Sequence, residues 1–171
     1  MISVYLCGFM GCGKSHVGRQ LAQTLKREYI DLDRVIVERE GMSIPEIFDK
    51  FGEPHFRELE AKYIQELKEG YIVATGGGAL INDSTAEFAK RSGVSIFINA
   101  SFDTCYERIK GDANRPLVVN NTPEQLRELY NKRAPIYRRN SMYMVNGNSK
   151  DYIIVEEIVK LVKYYEENGK T

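Results

Sequence analysis

The chain has 171 residues, enough for one domain with a buried core and too few for two ordinary ones. Its 43% hydrophobic and 28% charged residues are a globular balance, and its 24 basic and 24 acidic residues cancel, so no global field draws it to nucleic acid or to a membrane surface. The three cysteines, Cys7, Cys12 and Cys105, lack a Cys-x-x-Cys pair, which argues against a disulfide framework or a zinc knuckle and suits a reducing cytoplasm.

The opening residues, MISVYLCGFM, carry no basic leader and no small-residue cleavage site, and no apolar run is long enough to span a bilayer. A cytoplasmic chain is expected. Residues 2–7 are a short apolar run ended by glycine, a buried strand. Residues 15–27 have helical spacing, with Val17, Leu21, Ala22 and Leu25 on one face. Tyr29, Ile30 and Leu32 suggest a second short buried strand whose end carries Asp31 and Asp33. Strand alternation would turn both acids to one side. Such a pair is costly unless a cation, donors or a shared proton offset it. The plainer alternative is a polar turn that caps the next helix.

The Ser43-Ile-Pro-Glu46 segment reads as a capping box that opens a helix. Gly52 breaks that helix, and a second one runs to about Lys68. Residues 71–75 form a strand closed by Gly76, Gly77 and Gly78, and residues 82–91 are helical. A strand at 94–99 and a helix at 101–110 follow. Residues 111–121 are polar, contain Pro116, and read as a mobile loop. Thr122, Pro123 and Gln125 combine an N-cap, a proline at the first helical position and a capping glutamine. Their helix runs toward Arg139, with a kink expected at Pro135. A short strand at 142–145 and an amphipathic helix over Asp151–Asn168 close the chain.

Strands alternating with helices imply a mostly parallel sheet covered on both faces, here a three-layer α/β/α domain with five strands. Ligands of such sheets bind at the carboxyl ends of the strands. Residues 8–15, the acids Asp31 and Asp33, and Gly76–Gly78 all lie at such ends, so three loop features converge on one rim.

GFMGCGKS, residues 8–15, fits G-x-x-x-x-G-K-[ST] and lies between a predicted strand and a predicted helix, the context that gives the match meaning. The glycines let backbone N–H groups converge on phosphate oxygens, and the helix N-terminus adds a favourable dipole. Lys14 would reach the outer phosphates and Ser15 would ligate Mg²⁺. Gly11, Cys12 (through its backbone), Gly13 and His16 complete the nucleotide side; His16 reads as a helix-surface residue. A nucleotide switch needs more than this. Asp49-Lys-Phe-Gly52 matches D-x-x-G only by letters, Asn131-Lys132-Arg133-Ala134 lacks the aspartate of N-K-x-D, and the strand YIVAT has no terminal acid. Asp31 is therefore the natural acid for the metal.

Taken together, GFMGCGKS, YIDLD, FGEPHFRELE, ATGGGA, NRPL and KRAPIYR resemble the shikimate kinases, P-loop enzymes of the nucleoside monophosphate kinase fold. The resemblance covers nearly the whole chain. It implies a single kinase domain over 1–171, a substrate-binding helical segment over 34–68 and a lid over 111–121. It implies ATP and shikimate as substrates and Mg²⁺ as cofactor, with no nucleic-acid or membrane partner and a monomeric chain. Asp33 is then the residue that contacts the acceptor hydroxyls and takes the proton, and Asp31 helps hold Mg²⁺. Arg57 and Arg133 bind the acceptor carboxylate, for which planar guanidinium forks are suited. Glu60 orients Arg57, and Gly77 offers a backbone N–H between Gly76 and Gly78. Arg115 swings in with the lid to meet the phosphates, like an arginine finger supplied by the same chain. Arg108 lies near adenine, with Ser149 or Lys150 on the other side of the base. The same machinery on gluconate or a nucleoside monophosphate, or a non-catalytic nucleotide-binding regulator, are the alternatives to be separated.

Overall fold

A computed structural model describes residues 1–169; the last two residues of the single domain expected over 1–171 lie outside them. The five strands β1 (Ser3–Cys7), β2 (Tyr29–Asp31), β3 (Ile72–Ala74), β4 (Gly93–Asn99) and β5 (Tyr143–Asn146) form one sheet in the order β2-β3-β1-β4-β5. Every pairing is parallel, with Leu6 beside Ala74 on one side and Ile96 on the other. β1 and β4 read as continuous apolar runs because helices cover both faces. Helices α1 (Lys14–Leu25) and α8 (Asp151–Asn168) pack on one face; α4 (Asp83–Ser92) and α7 (Pro123–Asn140) pack on the other. The core runs through Val4, Leu6, Val17, Leu21, Ile72, Ile96, Ile98 and Ile158, all fully enclosed.

Local chemistry sets the helix boundaries. The Thr122 hydroxyl accepts the Gln125 N–H while the Gln125 side chain accepts the Thr122 N–H, so the expected capping box is complete. The Asn82 and Ser101 side chains cap α4 and α5 (Phe102–Ile109) by accepting first-turn N–H groups, without the reciprocal bond of a capping box. At Ser43 only the forward half of the box forms, from the Glu46 N–H. The following α3 (Ile44–Gln65) is broken at Gly52, whose φ of 82° and ψ of 167° leave the helical region. The predicted break is therefore present.

Three expectations need correction. β2 is half-buried because it is the sheet edge. It ends at Asp31, and α2 (Leu32–Glu40) begins at once, so the helical segment starts at 32, not 34, and ends near 65. The loop at 111–121 contains a short helix, α6 (Pro116–Val119), which Pro116 opens at a first-turn position. The helix α7 runs on through Pro135 without a break; proline removes one ladder bond but need not end a helix whose flanks are packed. Among the described residues no helix is long and apolar enough to cross a membrane.

Candidate active site

The loop between β1 and α1 is built around its glycines. Gly11 has a φ of 79°, and a β-carbon there would stand 2.6 Å from the Cys105 carbonyl oxygen, so the loop packs directly on α5. The first turn of α1 leaves backbone N–H groups without helical partners, directed at the cleft. Lys14 folds back over the loop, its Nζ donating to the carbonyls of Gly8 at 2.7 Å and Phe9 at 3.1 Å. Cys12 is not part of the cradle surface. It is buried, and its N–H donates to Phe9 O, so it serves the loop's own frame rather than a ligand. Burial likewise pushes the thiols of Cys7 and Cys105 up to about 12, keeping them neutral.

The two acids reach the rim differently from the strand argument. Asp31 is the N-cap of α2 and accepts the Arg34 N–H at 3.3 Å; Asp33 lies in the first turn of that helix. Helix entry, not strand alternation, brings them together, and the plainer capping reading also holds. The helix N-terminus favours both charges. Asp33 Oδ1 is nonetheless fully enclosed and has no hydrogen-bond partner. Burial, then the charge of Asp31, raises its pKa; Lys14, Arg115 and Arg57 oppose the rise.

Asp33 stands where two cavities meet. One, of about 260 Å³, is lined by Gly11, Gly13, Lys14, Ser15 and His16 together with Asp31, Arg108 and Arg115. The other, of about 230 Å³, is lined by Arg57, Glu60, Gly76, Gly77, Gly78 and Arg133, with an apolar wall from Met10, Ile44, Phe48, Phe56 and Leu117. Asp33, Gly76, Gly77 and Arg115 belong to both. The first cavity is cationic and glycine-lined, as phosphates require. The second pairs two arginines with an apolar surface, as a small carboxylated ring requires.

Arg57 is held from two sides, with Nη1 donating to Glu60 at 2.5 Å and Nη2 to Glu53 at 3.0 Å. Burial works against its charge, but Glu60 and Glu53 outweigh it and raise its pKa. Glu60 is almost wholly enclosed; burial raises its pKa to about 7 although Arg57 pulls the other way. Arg133 Nη1 and Glu60 Oε2 are buried without partners, like Asp33 Oδ1. Three unpartnered polar atoms around one cavity are the signature of a site that a polar ligand completes.

Ser15 and Asp31 face the first cavity together, and the described residues hold no cluster of three or more His, Cys, Asp or Glu side chains able to form a metal cage. One hydroxyl and one carboxylate beside a phosphate site fit Mg²⁺, which keeps waters and shares its coordination with phosphates. Arg108 Nη1 donates to Gly11 O at 2.9 Å and lines the cleft. Lys150 does not line it; it is the exposed N-cap residue of α8, and the adjacent Asp151 reaches His16 Nε2 at 3.0 Å. The lining side chains Met10, Ile44, Phe48, Phe56 and Leu117 were not singled out from sequence, because apolar residues at helical spacing read as core. Tyr137 was also missed. It lies one turn beyond Arg133 on the same helix face, and its hydroxyl donates to Gly77 O.

A family model described as Shikimate kinase matches residues 10–163. The chain is 38% identical to the shikimate kinase of Sulfurihydrogenibium sp. (strain YO3AOP1), over 95% of this chain and 99% of that protein. It is 41% identical to the shikimate kinase of Geobacter sulfurreducens, over 96% and 92% of the two chains. The shikimate kinase from Acinetobacter baumannii, solved in complex with shikimate, superposes with a TM-score of 0.90 at 36% identity, covering 96% of this chain and 94% of that one.

Proposed function

The chain belongs to the shikimate kinase family, an ATP-dependent kinase family, and from that premise we propose how its own residues transfer the γ-phosphoryl group of ATP to the 3-hydroxyl of shikimate. The observation that carries the assignment is Asp33, whose enclosed, unpartnered Oδ1 stands at the junction of the two cavities.

ATP lies with its phosphates over residues 8–15. Gly11, Gly13 and the first-turn N–H groups of Lys14, Ser15 and His16 receive the phosphate oxygens, and Arg108 flanks the base. Lys14 Nζ exchanges the carbonyls of Gly8 and Phe9 for phosphate oxygens, a stronger, charge-assisted contact. Ser15 and Asp31 are the residues that would hold Mg²⁺, which when bound neutralises phosphate charge.

Shikimate lies in the second cavity with its carboxylate between Arg57 and Arg133, its ring against Phe48 and Phe56, and its hydroxyls toward Asp33 and the Gly77 N–H. Glu60 keeps Arg57 oriented. The acceptor oxygen forms its bond to the γ-phosphorus as the bond to the ADP oxygen breaks, and its proton passes to Asp33 Oδ1. Such transfers depend mostly on alignment and charge stabilisation, so Asp33 need not be strongly basic. Lys14 and Arg115 stabilise the charge that develops, and residues 111–121 close over both substrates to exclude water.

The test is ADP release with ATP and Mg²⁺, comparing shikimate with gluconate, AMP and CMP. Turnover confined to shikimate is expected. Turnover confined to another acceptor would reassign Arg57 and Arg133 to a different anion, and ATP binding without acceptor-dependent turnover would indicate a regulator.

A further inference from the structure

Arg115 belongs to the walls of both cavities, so the direction of its guanidinium matters more than its presence. One side chain sets that direction. Asp112 Oδ2 accepts from Arg115 Nε at 3.0 Å, and Asp112 Oδ1 accepts the Asn114 N–H, also at 3.0 Å. The Arg115 N–H donates in turn to the Asp112 carbonyl at 3.3 Å. The carboxylate therefore closes a turn with one oxygen and grips the arginine with the other. A grip through Nε leaves both terminal amino groups of the guanidinium free, and these make the forked contact with phosphate oxygens. The two side chains are 36% and 40% exposed, so their pairing contributes little to folding stability. What it does fix is the aim of Arg115.

We infer that Asp112 is a positioning residue for phosphoryl transfer, holding Arg115 by Nε so that both terminal amino groups face the phosphates bound on residues 8–15. The inference rests on the role proposed above for Arg115. An asparagine cannot substitute. One of its two terminal positions is a donor, and that position would face either the Asn114 N–H or the Arg115 Nε–H.

The experiment is a double-mutant cycle on the full chain with ATP, Mg²⁺ and shikimate, using Asp112→Asn, Arg115→Ala and the double variant, with melting temperatures measured alongside. Asp112→Asn is expected to lower kcat about tenfold, which is about 1.4 kcal/mol, while each KM stays within about twofold and the melting temperature is unchanged. In the Arg115→Ala background the same change is expected to cost nothing further. Unchanged or increased kcat in Asp112→Asn, or an equal loss in both backgrounds, overturns the inference while leaving Arg115 in place. Wild-type turnover in Arg115→Ala overturns the Arg115 assignment itself.

Discussion

Asp33 Oδ1 and Glu60 Oε2 press on the same point from two helices: a β-carbon on Gly76 would stand 2.8 Å from the first and 2.6 Å from the second. The glycine is the gap in which two enclosed carboxylate oxygens meet. Gly76→Ala forces both acids aside. Because they are side-chain ends, the fold tolerates the shift better than the chemistry does. A loss of about a hundredfold in kcat/KM for shikimate is expected, with a melting temperature near that of the wild type; steady-state kinetics beside a thermal melt check both.

Asp33→Asn keeps the shape and removes the carboxylate proposed above as the proton acceptor. ATP affinity, measured by titration with the nucleotide, should stay near wild type. Turnover should fall by about 10²- to 10⁴-fold. Near-normal turnover would remove Asp33 from its role.

Glu60 predicts a pH dependence of stability. Its carboxyl is raised from 4.5 to about 7 by burial, so the folded state holds a proton that the unfolded chain releases. Its stabilising effect is complete below pH 4.5 and is lost as pH rises to about 7, at a cost of roughly 3 kcal/mol. Denaturant unfolding at pH 5 and pH 8 should show this loss in the wild type and a clearly smaller one in Glu60→Gln. Equal losses in the two proteins would contradict it.

The hydrogen bond from the Tyr137 hydroxyl to Gly77 O ties the helix bearing Arg133 to the glycine loop. Tyr137→Phe leaves that carbonyl without its donor, a cost of about 1–3 kcal/mol. The KM for shikimate should rise severalfold and the KM for ATP should not. A matched rise in both would mean that the bond serves the fold alone.

The order of strands and helices was legible because each element carries its own periodicity and punctuation, down to the Thr122–Gln125 box and the break at Gly52. Part of the first cavity was legible because Gly11, Gly13, Lys14, Ser15 and His16 come from one contiguous motif, whereas Lys150, expected beside it, caps a helix elsewhere. The second cavity was legible as charges but not as a cavity: Phe48, Phe56 and Met10 have the pattern of core residues until six separated stretches of the chain are assembled around it. The Asp31–Asp33 pair shows the limit of pattern alone. Their proximity was expected and its cause was not, because a three-residue edge strand turning straight into a helix leaves too few residues for either period to register.

The strand order also bears on how the chain assembles during synthesis. β1 is made first yet occupies the centre, and both its neighbours, β3 and β4, begin at residue 72 or later. Gly11 then needs the Cys105 backbone beneath it. The apolar central strand therefore has no partner until residues 72–74 have been translated, and non-local parallel pairing of this kind is slow. The phosphate loop at residues 8–15 thus waits on backbone made about ninety residues later before it can take its working shape.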